Sequence, residues 1–164
     1  MWFLPVHLRE SIPVAPHLGA FGVVRKNHTH EGVDLYVPNG DPVFAVEPGI
    51  VVAILPFTGE HCGSPWWHDT WCVMVEGASG VVNYGEIVPR PGLDIGDEVR
   101  PIDVVGHVKT VLKKDKGRPM SMLHIELYEA GVREPVEWLP DAPRPAGLLD
   151  PTSFLLDSYG YEDE

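Results

Sequence analysis

Short apolar stretches alternate with turn-forming residues along the whole chain. Seventeen glycines and seventeen prolines interrupt the sequence, and no long apolar stripe with a helical period survives between them. This pattern predicts an all-β domain of short strands with few or no helices. The predicted strands are Val43–Val46, Ile50–Leu55, Trp71–Val75, Val81–Ile87, Asp103–Val111 and Met122–Tyr128.

The connections between these strands carry their own signals. Gly77–Gly80 is typical of a hairpin turn, Pro38–Asp41 is typical of a tight turn, and Lys113–Pro119 reads as an exposed loop. We expect residues 1–134 to form one β domain. Residues 135–164 are expected to form a proline-rich arm, with Leu148–Leu156 docked on the core, and an acidic tail, packed on the domain or trailing from it.

Composition narrows the class of protein. The chain has 164 residues, of which 44% are hydrophobic and 22% are charged. This length and composition predict one globular domain, which we expect to be a monomer. A net charge of −12 argues against a nucleic-acid partner, because phosphate contacts need clustered lysine and arginine. No apolar run is long enough for a membrane span, and the start lacks the features of a signal peptide. As encoded the chain would stay in the cytoplasm, and release or a phage association stays open.

Cys62 and Cys72 flank a tryptophan-rich loop and are the only cysteines. In an exported protein they are expected to close this loop as a disulfide, and in a cytosol they are expected to stay thiols. A third interpretation combines them with His61 and His68 as a second metal site.

The chemistry that stands out is a histidine–aspartate motif near the start and a histidine near the end. His30 and Asp34 flank Gly32, which is expected to let the backbone turn tightly. His124 lies on an alternating strand, where it shares one face with Met122 and Glu126. Two imidazoles and one carboxylate leave a fourth position open on a zinc ion, as a hydrolytic site requires. The competing interpretation is a surface turn without a metal.

Further motifs in the same order extend this pattern over residues 21–128. These motifs are His30-x-Gly32-x-Asp34, Pro38-x-Gly40-x-Pro42-Val43-x-Ala45, Pro48-Gly49-Ile50-Val51, Gly96-Asp97-x-Val99, Val105-Gly106 and Leu123-His124-Ile125-Glu126. In them the chain resembles the lysostaphin-type (LytM-like) zinc endopeptidases, which cut peptide cross-links in bacterial peptidoglycan. The resemblance implies an antiparallel sheet with an open groove and zinc on its floor, held by His30, Asp34 and His124.

Two positions depart from the family pattern. Met122 stands where the family has a catalytic histidine, and Glu86 stands where a second histidine is expected. Glu86 is open to three interpretations: a general base for the attacking water, a fourth metal ligand that closes the site, or a solvated residue without a role. His28 and His107 are spare imidazoles that could replace a missing histidine in space.

Other side chains are assigned supporting roles. Trp66, Trp67 and Tyr84 are expected to contact substrate, whereas Trp71 is expected to pack in the core. Glu126 is expected to hold a ligand histidine in one tautomer, with an ordinary ion pair as the alternative.

The sequence thus predicts a zinc-dependent peptidase-like domain that hydrolyses peptide bonds of peptidoglycan or a similar short peptide, with Glu86 as general base. No residue obviously replaces the histidine missing at Met122 as the partner of the oxyanion or the leaving group, so we expect narrow or weak activity. The alternative is a catalytically degenerate module that keeps zinc for stability and binds cell wall or a protein partner without hydrolysis. Three protein ligands favour the enzyme, and four favour the module.

Overall fold

The computed structural model describes residues 1–117 and 120–160. These residues form nine strands, one 3₁₀ turn and one short helix, so the predicted all-β class is confirmed. The strands are β1 (Val33–Tyr36), β2 (Pro42–Phe44), β3 (Gly49–Thr58), β4 (Thr70–Gly77), β5 (Gly80–Pro89), β6 (Glu98–Val99), β7 (Val104–Val108), β8 (Met122–Tyr128) and β9 (Leu148–Leu149); the 3₁₀ turn is Glu60–Cys62 and the helix, α1, is Thr152–Leu156.

All nine strands belong to one open antiparallel sheet. Its main path runs β1-β8-β5-β4-β3-β6, while β7 joins β5, β2 joins β7, and β9 joins β8. β1, an early strand of the chain, pairs with β8, a late one. This pairing places the start of the domain beside its last long strand.

The predicted strands are largely confirmed, and β8 has the predicted bounds. The hairpin turn between β4 and β5 is confirmed, as is the turn in which the Asp41 N–H donates to the Pro38 carbonyl at 3.1 Å. The strand predicted over Asp103–Val111 is shorter, at Val104–Val108. Three strands were not predicted, namely β1, β6 and β9; they have four, two and two residues, which is too short to show a clear alternation.

The core lies on one face of the central strands. Leu123, Ile125 and Leu127 of β8 enter it together with Val33 and Leu35 of β1. On the other face His124 and Glu126 are also buried, at 5% and 1% exposure, so β8 carries an apolar layer and a polar layer. The polar layer forms the floor of the site described below.

A bulge interrupts β5 at Glu86. Trp71 of β4 pairs with Ile87, and the next residue, Cys72, pairs with Gly85, so Glu86 has no partner in β4. Glu86 adopts φ 63°, a left-handed conformation uncommon for a residue with a side chain. Bulges of this kind change the direction of a side chain and often lie next to active sites.

The described part of residues 135–160 packs on the sheet. β9 pairs with Leu127 and Tyr128 of β8, and α1 buries Leu155. The division of the chain at residue 134 stays a prediction. Arg118 and Pro119 of the predicted loop and Tyr161–Glu164 of the predicted tail lie outside the described residues. In the described part of the chain, no helix has the length and apolar character to cross a membrane.

Gly32 is required for a close approach of two backbones rather than for a left-handed turn. A Cβ at this position would lie 2.3 Å from the Ile125 carbonyl oxygen and 2.9 Å from Cγ of Glu126. The φ of Gly32 is not in the left-handed region. The sequence-based explanation for this glycine is therefore corrected: its missing side chain lets the segment before β1 contact β8.

Gly32→Ala is expected to destabilise the protein, because the carbonyl oxygen it meets belongs to a central strand and cannot move away cheaply. We expect a loss of roughly 1–3 kcal/mol in the free energy of unfolding, typical of an overpacked site. Urea unfolding measures it, with the exposed Lys114→Ala as control. A loss no larger than that of the control would contradict the explanation.

Candidate metal centre and groove

The pairing of β1 with β8 brings the three predicted ligands together. Asp34 lies directly opposite His124 in the register, and His30 lies just before β1. The Asp34 Oδ1 atom is 3.1 Å from His30 Nε2 and 2.9 Å from His124 Nδ1, and these two nitrogens are 3.2 Å apart. All three side chains are buried.

The outer nitrogen of each imidazole has an acceptor. His30 Nδ1 donates to the Ala20 carbonyl at 2.9 Å, and His124 Nε2 donates to Glu126 Oε2 at 2.9 Å. These contacts assign the tautomers, so both inner nitrogens direct lone pairs toward the carboxylate of Asp34.

Three acceptors that face one another need a cation or a proton between them. In a tetrahedral zinc site, ligand atoms about 2.0–2.1 Å from the metal lie roughly 3.3 Å apart. The observed separations and the donor set of two imidazoles and one carboxylate therefore fit zinc.

The electrostatics of the metal-free cluster agree with this geometry. Burial opposes a charge on His124, but the neighbouring carboxylates of Glu126 and Asp34 raise its pKa well above the ordinary value. Burial likewise opposes ionisation of Asp34, but hydrogen bonds from His124 and His30 lower its pKa. Without a metal the cluster holds protons, and metal binding would displace them.

Glu126 is fixed as a support for His124. Its Oε1 atom accepts hydrogen bonds from Asn83 Nδ2 and from the Tyr128 hydroxyl, both at 2.8 Å. Because Oε2 faces His124, every part of this buried carboxylate has a partner. The geometry is that expected of a carboxylate that sets the tautomer of a ligand histidine.

Arg25 is a member of the site that sequence analysis missed. Its Nη2 atom lies 2.9 Å from Asp34 Oδ2, and its guanidinium also donates to the Leu18 carbonyl. Asp34 therefore directs only Oδ1 toward the cluster. Arg25 stands in a loop whose sequence has no metal-site signal, so only the tertiary structure could identify it.

The cluster lies on the floor of an open groove of about 1560 Å³. Met122 lines this groove on the side of His124, as strand parity predicts. Trp67 also lines it, and Trp66 packs edge-on against Trp67 with ring centroids 6.0 Å apart. Trp71 is half-buried outside the groove lining, between His61 and Lys109, and does not enter the core as expected.

Glu86 lines the same groove because of the bulge. By simple alternation Glu86 would share the face of Tyr84, which is the core face. Instead its Oε2 atom is shielded from solvent without a hydrogen-bond partner among the described residues. Burial, and then the negative charge of Asp34, raise the pKa of Glu86 to about 7. Glu86 is not part of the group, His30, Asp34 and His124, whose ligand atoms lie within 4.8 Å of one another.

Tyr84 is not placed to contact a substrate. It is 1% exposed within the main core, and its hydroxyl oxygen accepts the Val46 N–H at 2.9 Å. The assignment of Tyr84 to substrate binding is therefore corrected: this residue supports the sheet.

The spare imidazoles and the cysteines are also placed. His28 is half-buried in the groove wall, and burial, with the charge of Arg25, lowers its pKa. His107 is exposed on β7. Cys62 is exposed and Cys72 is buried, both as free thiols. Neither belongs to a metal-ligand group among the residues described, so the second metal site is not supported.

Comparison with known proteins supports the fold. No family model matches the sequence, and no curated protein matches it. Among solved structures, the chain is similar to the catalytic domain of the antimicrobial peptidase lysostaphin from Staphylococcus simulans. The match has a TM-score of 0.56 and 16% sequence identity, and it covers 84% of this chain and 90% of that one. At this level of identity the likeness shows the lysostaphin-type fold that the motifs predicted.

Two further solved structures show in which kinds of protein this fold occurs. Helicobacter pylori Csd3 matches with a TM-score of 0.55 and 16% identity over 95% of this chain, which spans 39% of the length of Csd3. A chain in the complex of SpoIIIAH and SpoIIQ matches with a TM-score of 0.56 and 18% identity, over 94% of this chain and 99% of that one. The fold thus occurs in a peptidase and in a protein–protein complex.

Zinc binding should depend on His124. We expect about one zinc per chain in the wild type and a loss of most of it in His124→Ala, since two remaining ligands hold the ion weakly. The matched control is His107→Ala, which removes an exposed histidine outside the cluster. Elemental analysis after dialysis measures the difference, and equal zinc in His124→Ala and the wild type would disprove the ligand set.

The raised pKa of Glu86 should appear in the stability of the metal-free protein. A carboxyl group with a raised pKa in the folded state favours folding at low pH, and this contribution is lost as the pH rises from about 4.5 through about 7. Glu86→Gln removes the charge, so we expect it to be more stable than the wild type at pH 8 by roughly 1–3 kcal/mol, and similar at pH 4. Glu98→Gln, at an exposed edge position, should show no such gain. A pH-independent difference would contradict the prediction.

Proposed function

We propose that this chain is a zinc-dependent peptidase domain that hydrolyses peptide bonds of bacterial peptidoglycan or of similar short peptides. The observation that carries the proposal is the convergence of His30, Asp34 and His124 on the floor of an open groove that Glu86 also lines. The Oε2 atom of Glu86 has no hydrogen-bond partner in the described part of the chain. The lysostaphin-type fold, shared with an antimicrobial peptidase, and the family-like motifs support the choice of substrate.

His30, Asp34 and His124 would hold the cation through one ligand atom each. The side of the cation that faces the groove would stay open. When bound, zinc supplies Lewis acidity, which polarises a carbonyl group and lowers the pKa of water. Glu126 would keep His124 in the ligand tautomer, and Arg25 would keep Asp34 Oδ1 in place. The positions of these residues need no rearrangement for this role.

Glu86 would accept the proton of the attacking water. A general base is most effective when its pKa lies near the working pH, and the pKa of Glu86, at about 7, meets this condition. The bulge turns the carboxyl group toward the groove. Its absence from the group of ligand atoms supports a base rather than a fourth ligand.

The groove wall offers a surface for the substrate. Trp66 is 62% exposed and Trp67 is 36% exposed, so their ring faces can stack on a peptide or a sugar. Met122 lies on the floor, where its thioether can neither donate a strong hydrogen bond nor transfer a proton. We therefore propose slow or narrow turnover.

Met122 also favours a second candidate function. A groove that lacks this proton-transfer group could bind cell wall or a protein partner without hydrolysis, with zinc as a structural ion. The match to the SpoIIIAH–SpoIIQ complex shows that the fold is compatible with protein binding. Coordination of the metal by Glu86 would be the mark of this module.

Glu86→Gln should separate the two functions. Glutamine keeps the shape of the side chain but cannot accept a proton. We therefore expect activity to fall by about 10²–10⁴-fold, as is typical when a general base is removed. The assay is the release of new amino termini from purified peptidoglycan by the zinc-loaded protein. Zinc content should stay at the wild-type level, and Glu98→Gln should keep full activity.

Two results would change the assignment. A wild type that is fully loaded with zinc but releases no amino termini from several wall types would favour the binding module. Undiminished release by Glu86→Gln would direct attention to His28 and Glu31, two further titratable groups that line the groove.

A further inference from the structure

The proposed reaction leaves one task without a residue. As water attacks a peptide bond, negative charge develops on the carbonyl oxygen, and a preorganised hydrogen-bond donor stabilises it. Met122 stands beside His124 on the groove floor but has no donor to offer. A neighbouring strand could supply a hydrogen-bond donor that acts beside the Lewis acid.

Tyr36 is the polar residue that lies next to Met122. It is the last residue of β1 and pairs directly with Met122 of β8. Directly opposed residues in antiparallel strands have side chains about 4.5–5.5 Å apart at Cβ. Tyr36 also follows Asp34 by two positions, so both side chains lie on the groove face of β1, and Tyr36 lines the groove.

The hydroxyl group of Tyr36 lies beside Gly19. A Cβ built on Gly19 would lie 2.9 Å from the Tyr36 hydroxyl oxygen, so this oxygen is close to Gly19. The carbonyl of Gly19 accepts the N–H of Asp34 at 2.9 Å, which ties Gly19 to the metal-ligand strand. A side chain at position 19 would therefore crowd the Tyr36 ring and its hydroxyl group.

The hydroxyl group is available to a ligand. It makes no hydrogen bond with any of the described residues, and the ring contacts His17 at a centroid distance of 6.0 Å. By comparison, the Nε and Nη2 donors of Arg25 already bind Leu18 and Asp34. Tyr36 therefore offers the groove a hydroxyl donor that none of the described residues occupies.

We propose that Tyr36 is a catalytic residue, whose hydroxyl group donates a hydrogen bond to the substrate carbonyl oxygen as that oxygen becomes negative. The proton stays on Tyr36 throughout, so no covalent step or proton transfer is assigned to it. This role fills the position that Met122 leaves empty, and it rests on the proposed peptidase function.

The test is the affinity of zinc-loaded protein for a tetrahedral anion. The probe is an alanine-based phosphinic tripeptide, measured by calorimetry in the wild type and in Tyr36→Phe, which keeps the ring and removes the hydroxyl group. We expect roughly 10–100-fold weaker binding, because a transition-state analogue reports the interactions made to the charged oxygen. Affinity for the planar trialanine peptide, zinc content and melting temperature should be unchanged. Tyr159→Phe, at a half-exposed position in an isolated bridge to Phe3 outside the groove lining, is the matched control.

A second experiment tests whether Tyr36 compensates for the methionine at position 122. Met122→His should restore a donor or acid at the floor, so Tyr36→Phe should cost less in the Met122→His background than in the wild type. Equal affinity of the wild type and Tyr36→Phe for the phosphinic peptide would overturn the proposal, as would the absence of any binding by the wild type. Tyr36-dependent binding without hydrolysis of peptidoglycan would support Tyr36 as the oxyanion donor while showing that the substrate of the proposed function is wrong.

Discussion

The pairing of β1 with β8 is the interaction on which the site depends. It sets Asp34 opposite His124, residues that are 90 positions apart, and it places Tyr36 opposite Met122 in the same register. A slip of one residue would turn every polar side chain of β8 into the core and every apolar one into the groove. Gly32 contributes to this register, because any side chain there would collide with the Ile125 carbonyl.

The second constraint is the burial of charge on the polar face of β8. Asp34 and Glu126 lie on opposite sides of the His124 ring and are 3% and 1% exposed, respectively. Burial of carboxylates is costly unless they are paired and hydrogen-bonded. Glu126 meets this condition through Asn83 and Tyr128, and Asp34 meets part of it through Arg25. At the inner edge of the cluster three acceptor atoms converge, and a bound cation would satisfy them.

The sequence predicts the repeating parts of this arrangement and misses those that depend on tertiary contacts. The alternation of β8 is a local pattern, so its bounds and the groove-facing position of Met122 follow from the residues themselves. The motifs indicated the three ligand candidates that the fold brings together. Arg25 reaches Asp34 from a loop, and no local pattern records such a contact.

The placement of Glu86 shows most clearly where the alternation rule fails. Tyr84 and Glu86 share parity, so a regular strand would send both to the same face; the bulge sends Tyr84 to the core and Glu86 to the groove. The groove then raises the pKa of this carboxyl group to about 7, close to the ordinary pKa of histidine, about 6.5. A glutamate in place of the family's histidine thus need not remove a proton acceptor that works near neutral pH. Burial of the carboxyl group at the bulge, and then the negative charge of Asp34, produce this raised pKa. The property therefore belongs to the fold and not to the residue type, and the same substitution on a regular, solvated strand would lack it.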